Sequence, residues 1–203
     1  IWYKRWFKVP SDWKDERVVI NFGAVDWQAK VYVNGELQVE HTGGFTPFSA
    51  DITDAIAWDC ENEIVVVVYD PTHVYIEEDG AHQVGKQTLT PQFINYTACS
   101  GIWQTVWLEP VSNSRIESVY AESYVDGGYA FINADVNAKS SDLSLRVTLE
   151  EDGTVYESNG LLPVVVSPKN VKLWTPDNPH LYDIKVELLR DNKVVDTANT
   201  YFA

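Results

Sequence analysis

The chain has no methionine, only two cysteines, and half as many basic as acidic residues. Its 203 residues carry 15 Lys and Arg against 30 Asp and Glu, a net charge of −15. Each shortage excludes something. A natural reading frame starts with Met, so a chain that opens on Ile1-Trp2-Tyr3 is expected to be a fragment or processed product whose natural start lies elsewhere. Cys60 and Cys99 are too few for a disulfide scaffold and lack the spacing of metal ligands, so two unpaired thiols are expected. The shortage of Lys and Arg argues against nucleic acid, because phosphate binding needs cations that displace counterions. It argues equally against anionic membrane surfaces. No apolar run reaches the length of a membrane-spanning helix, and no signal peptide is visible. The compartment stays open, with a periplasmic or extracellular placement preferred. A neutral sugar remains a permitted partner, although an acidic surface also serves solubility alone.

What is present suits an all-β protein. Hydrophobic residues are 45% and aromatic residues 13%, with 8 Trp and 11 Tyr, enough for a packed core without metal or disulfide. Short apolar runs are punctuated by Pro and Gly. Strands are predicted over Ile1 to Val9, Val18 to Phe22 and Ala29 to Val33. Asn34-Gly35 then gives a tight turn, since both residues tolerate positive φ, and Glu36 to Glu40 returns. Ile64 to Tyr69 is nearly all apolar and is expected to be buried on both faces. Trp103 to Leu108 reads as the last strand of this half, with Trp103 and Trp107 buried together on one face. A boundary near residues 111–114 divides a first domain, 1–112, from a second, 113–203. There the alternation is cleaner. Ala130, Ile132, Ala134, Val136 and Ala138 share one face, as do Leu143, Leu145, Val147 and Leu149, and again Tyr182, Ile184, Val186 and Leu188. About seven strands joined by tight turns form the pattern of an immunoglobulin-like sandwich.

Residues able to carry catalysis are hard to find. Glycoside hydrolysis needs two facing carboxyl groups, but the acidic runs Glu77-Glu78-Asp79 and Glu150-Glu151-Asp152 sit beside Gly and read as solvated turns. No Ser occupies a nucleophile elbow, and no Gly-rich loop follows a strand to hold a nucleotide. His73 and His82, with Glu77 and Asp79 between them, match no metal-ligand spacing. Catalytic residues, metal and organic cofactor are therefore all expected to be absent. Asp70 to Ser100 shows little periodicity and is long for a connection within one domain, which is often a functional sign. Its aromatics Tyr75, Phe93 and Tyr96 suggest an ordered, packed loop. Trp27, Trp58, Trp103 and Trp107 are candidate sugar platforms on residue type alone, with a structural role expected for Trp27.

Three motifs, in order, carry a resemblance. They are GAVDWQAKVYVNG with GGFTPFSADIT (Gly23–Gly35 and Gly43–Thr53), SGIWQTVWLEP (Ser100–Pro110) and LWTPDNPHLYDIKVEL (Leu173–Leu188). Together they resemble the front half of glycoside hydrolase family 2, which holds β-galactosidases, β-glucuronidases and β-mannosidases. The resemblance implies a jelly-roll sugar-binding domain followed by an immunoglobulin-like β-sandwich, both preceding a (β/α)8 barrel that performs the hydrolysis and is absent from this chain. It also implies a parent that is a retaining exo-β-glycosidase, in which these two domains are non-catalytic and shape the sugar site. In two branches of the family, an acidic residue six positions before the Gly of the SGIWQ-like strand helps hold the substrate. Here that position is Asn95, which can hydrogen-bond a hydroxyl but supplies no charge. Asn95, Tyr96 and Phe93 are thus the expected substrate-side residues. The implied partners are a carbohydrate, bound weakly in isolation, and the barrel. A freestanding carbohydrate-binding protein and an immunoglobulin-type adhesion or scaffold module remain alternatives.

Overall fold

The computed structural model describes residues 1–72, 84–138 and 142–203. The chain forms two compact units, Ile1–Val111 and Ser112–Ala203, each an all-β sandwich. Among the described residues no helix is long and apolar enough to cross a membrane.

The first unit is the jelly roll. One sheet runs in the order β1 (Trp2–Phe7), β7 (Asn62–Tyr69), β4 (Gln28–Val33), β5 (Glu36–Thr42), antiparallel throughout. The facing sheet is β11 (Val106–Val111), β2 (Arg17–Phe22), β6 (Phe48–Asp51). Short strands fill the connections: β3 (Val25–Asp26) pairs with β10 (Gly101–Ile102), and β8 (Gln87–Thr88) with β9 (Tyr96–Thr97). Val18, Ile20, Phe22, Val31, Val33, Val66 and Val68 close the core between the sheets. Asn34 and Gly35 turn the β4–β5 hairpin at φ 49° and 86°, as their tolerance of positive φ requires. The Asn34 side chain also ties that turn to β7. It donates to Asn62 Oδ1 at 2.7 Å and accepts from the Glu63 amide at 2.9 Å.

Two expectations fail in this unit. β7 is not buried on both faces: Val66 and Val68 point into the core, whereas Ile64, Val65 and Val67 are half-buried and Tyr69 is exposed. Its sheet has a core on one side only, so a run of apolar residues does not guarantee two covered faces. The final strand starts at Val106, not Trp103. The chain bends at Gln104, and Val106 and Leu108 take the inward positions opposite Phe22 and Ile20. Trp103 and Trp107 are therefore not buried together, being 47% and 43% exposed.

The second unit is the immunoglobulin-like sandwich. One sheet is β12 (Arg115–Tyr124), β13 (Tyr129–Asn137), β16 (Val164–Val166). The other is β15 (Thr154–Glu157), β14 (Leu143–Leu149), β17 (Tyr182–Arg190), β18 (Lys193–Phe202). The period-2 stripes read from the sequence all face inward: Leu143, Leu145, Val147 and Leu149 meet Ile184, Val186, Leu188, Ala130 and Ile132 in one core. Asp191 and Asn192, at φ 49° and 61°, turn β17 into β18. The LWTPDNPHLY segment contains a tight turn. Thr175 and Asn178 exchange backbone hydrogen bonds of 3.0 Å and close a turn over Pro176 and Asp177. Tyr182 is buried, but Trp174 is exposed and adds nothing to this core.

Candidate functional site

The long connection of the jelly roll leaves and returns at one place. Asp70 caps the end of β7 by accepting from the Thr72 amide at 2.7 Å, and its carboxylate also accepts the hydroxyl of Ser100. Ser100 leads directly into β10. His73, Tyr75, Glu77, Glu78, Asp79 and His82 lie outside the described residues, so their expected roles are neither supported nor opposed. From Val84 onward the return limb is held by its own backbone. Tyr96 N–H donates to Lys86 O at 2.8 Å, Asn95 N–H to Gln92 O at 3.0 Å, and Cys99 N–H to Gln87 Oε1 at 2.6 Å. These bonds thrust residues 93–96 outward: Phe93 stands at φ 55° and is 98% exposed, and Tyr96 is 68% exposed. Asn95 is exposed beside them. The structure thus brings Phe93, Asn95 and Tyr96 onto one short tip. It does not pack Phe93 and Tyr96 into the domain as the sequence suggested: both side chains stand exposed, while the limb is held by backbone bonds and by the side chains of Gln87 and Thr88.

At the base of this limb lies a second constellation. β10 pairs with β3, setting Gly101 opposite Asp26. Gly101 has φ 95°, and a Cβ there would collide with the Tyr3 hydroxyl, which accepts from Ile102 N–H at 3.2 Å. Asp26 and Trp27, joined by a cis peptide, are both buried, so Trp27 is structural, as expected. A Cβ on Gly44 would sit 2.6 Å from Asp26 Oδ1, so only glycine lets the Gly43–Pro47 loop approach this closely. That loop fixes Trp103, whose Nε1–H donates to Gly44 O at 2.7 Å and whose ring meets Phe45 edge-on at 5.8 Å. The Trp103–Phe45 pair was missed by sequence reasoning, although GGF and GIW were both in view. Trp58, the remaining candidate platform, is half-buried against the core.

Cys60 and Cys99 are free and exposed. Among the described residues no three His, Cys, Asp or Glu side chains gather in a way that could hold a metal. The strongest charge arrangement is a clamp. Arg17 Nε donates to Asp51 at 2.7 Å and its other nitrogens reach Asp54 at 3.2 and 3.3 Å. Partial burial alone would raise Asp51's carboxyl, but hydrogen bonds from Arg17 and Thr53 outweigh it and leave the carboxyl below its ordinary range. Arg17 itself is pushed up, chiefly by the bond to Asp51. Such a clamp joins β2 to the end of β6 and the turn after it, and both carboxylates are engaged by the one guanidinium.

A chain with this geometry can be placed among known proteins. Residues 1–110 match the family model for the glycosyl hydrolases family 2 sugar binding domain, and residues 114–203 match a second family 2 model. The chain belongs to glycosyl hydrolases family 2. A β-galactosidase of Thermoanaerobacter pseudethanolicus is 31% identical over 209 residues, a match covering 96% of this chain and 27% of that protein. A β-glucuronidase of Paenibacillus borealis is also 31% identical, over 93% of this chain and 33% of its own length. The chain therefore spans about a third or less of the relatives it resembles. The solved structure of a β-glycosidase from Bacteroides vulgatus superposes on the whole chain with a TM-score of 0.75 at 22% identity, covering 25% of that protein, a likeness of fold.

Proposed function

We propose that this chain is the sugar-facing, non-catalytic part of a family 2 retaining exo-β-glycosidase. In this reading the jelly roll lends one wall to a carbohydrate site. The immunoglobulin-like unit supports a (β/α)8 barrel elsewhere in the protein, and the barrel cleaves the glycosidic bond without an organic cofactor. The relatives' names support a carbohydrate partner, since they are a β-galactosidase and a β-glucuronidase. The observation that carries the assignment of the wall is the tip at residues 93–96. Two exposed aromatic side chains, Phe93 almost fully in solvent and Tyr96 about two-thirds so, stand on a backbone-braced limb, flanking an amide that can both donate to and accept from a hydroxyl. An aromatic face beside a bifunctional hydrogen-bonding group suits the C–H face and hydroxyl rim of a pyranose.

The test is made in the complete protein. Asn95→Ala should lower kcat/KM about tenfold or more, the loss of one hydrogen bond worth ~1–3 kcal/mol, with a comparable loss for Tyr96→Ala. Unchanged kinetics for both variants would show that the tip does not meet substrate. The 203-residue chain alone should not turn over nitrophenyl β-glycosides and should bind free monosaccharides weakly, since one wall leaves a sugar mostly hydrated. Turnover that persists through repurification would place a carboxylate pair within this chain instead.

A further inference from the structure

The outer face of the β1-β7-β4-β5 sheet carries side chains that the core does not use. Along β1, Tyr3 and Phe7 pack on the core, so alternation turns Trp2, Lys4 and Trp6 outward. Trp2 is 79% exposed and Trp6 56%. Tryptophan is a large apolar side chain, and leaving two of them in water forgoes burial that a small polar residue would not miss. The cross-strand register lays a floor beside them. Val67 lies opposite Trp2, Val65 opposite Lys4, and Tyr32 opposite Val65. All three floor residues are half-buried. The charged residues of this face pair off: Lys4 with Glu63, and Lys30 with Glu40 at 2.9 Å. The Lys4 ammonium also lies 4.9 Å from the Trp6 ring centroid, which holds ring and ammonium together.

We propose that this face is a platform for an uncharged, extended β-linked polysaccharide, built from residues other than those of the 93–96 tip. Three observations choose that occupant. The first is spacing. Trp2 and Trp6 are separated by four residues of strand, about 13 Å, so two rings on a straight line meet a stretched chain of sugars and not a single one. The second is the mixture of groups. A sugar chain offers C–H faces to aromatic rings and hydroxyls to polar groups between them, and here Lys4, with its Glu63 partner, stands between the two tryptophans. A second copy of this chain, or another protein, fits less well, because the core of a protein interface is depleted in charge. The third is complementarity of charge. The face is neutral through its two ion pairs on a chain of net charge −15. An acidic polymer is repelled by the molecule as a whole and finds no free cation in these pairs, whereas a neutral one is not repelled.

Native electrophoresis of the complete protein, in gels holding galactomannan, mixed-linkage β-glucan or hydroxyethyl cellulose, tests this. At least one of these neutral polymers should retard migration, and polygalacturonate should not. Trp2→Ala and Trp6→Ala should each weaken the affinity read from the retardation roughly tenfold. Trp2→Phe and Trp6→Phe should weaken it much less, because a flat ring remains. Both positions are exposed, so all four variants should keep the parent's melting temperature and its turnover of nitrophenyl β-glycosides. Retardation by none of the neutral polymers, equal retardation by polygalacturonate, or retardation that survives both alanine variants would overturn the proposal. So would a dimer in sedimentation that Trp2→Ala dissolves, because the face would then belong to a second copy. The sugar-side reading is not needed here and fails separately. Normal kinetics for Asn95→Ala leave the platform intact, whereas retardation lost in Asn95→Ala and kept in the tryptophan variants would move the polymer to the tip and overturn it.

Discussion

In the immunoglobulin-like unit, hydrophobic alternation accounts for nearly everything. Leu143 to Leu149 and Tyr182 to Leu188 bury every second residue, and turns such as Asp191-Asn192 only reverse the chain. The jelly roll shares that logic in β2 and β4 but adds another. It buries Asp26 and Asn62, and it uses Gly44 and Gly101 where a Cβ would collide. Asn62 accepts from the Ala57 amide and donates to Ala57 O, shaping a loop from the inside. The first strategy makes a frame that tolerates any side chain on its outer face. The second fixes loops in one conformation, which a frame alone cannot do, and the jelly roll leans on it more heavily than its neighbour, where Ser114 is the buried polar residue and Gly127 the glycine without room for a Cβ.

Five substitutions sharpen or break this contrast. Leu145→Ala, in the middle of the second core, should cost ~2–5 kcal/mol through lost burial and a cavity, read in a denaturant melt of the immunoglobulin-like unit. Seven of the eight Trp lie in the jelly roll, so tryptophan fluorescence should show that unit melting separately and unchanged. A shared loss would mean the two units do not unfold independently. Gly101→Ala should destabilise the jelly roll by ~1–3 kcal/mol, because φ 95° is strained for alanine and the methyl meets Tyr3. Gly35→Ala, with positive φ but open space around it, should cost ~1 kcal/mol or less. Equal costs would show that close approach at Gly101 is unimportant.

Acid separates the units more gently. Asp51 has a depressed folded-state value, so its stabilisation is present above the ordinary carboxylate value of about 4 and is lost as pH falls through the lower folded value. Asp51→Asn should lower the jelly roll's Tm at neutral pH and flatten its decline in acid. In the second unit Asp152 is held at about 2, first by the Thr154 hydroxyl and then by Lys169. It lies at the surface, where solvent screens the pair, so its removal should move Tm much less. A larger acid response in the second unit would reverse the assignment of the clamp. The smallest effect is expected at Asn95: Asn95→Ala should leave thermal stability within ~0.5 kcal/mol, since its side chain is exposed and braces nothing. A clear loss of stability would recast Asn95 as structural.

Strands were legible wherever one face was buried and the other wet, because such strands write a period of two into the sequence; β14 is the clearest case. β7 was misjudged for the converse reason. Val65 and Val67 are apolar on the outer face, and composition cannot say whether anything covers them. Trp103 was placed in a strand because the residues around it are apolar, whereas its position depends on a hydrogen bond to Gly44 made 59 residues away. Local pattern carries no trace of such a bond. The tip at Phe93, Asn95 and Tyr96 was reachable only through the SGIWQ resemblance, and its exposure followed from backbone bonds that no side chain announces.

The Asp70–Ser100 hydrogen bond has a consequence for how much the segment between them can change. It brings the two ends of a long excursion together, so what lies between behaves as an inserted cassette. The entropy of closing such a loop rises only with the logarithm of its length, about 0.6 kcal/mol for each doubling. Segments of quite different length and composition can therefore be exchanged between the same two anchors at little cost to the sandwich, which makes this junction the natural graft point for giving the same frame a different reach.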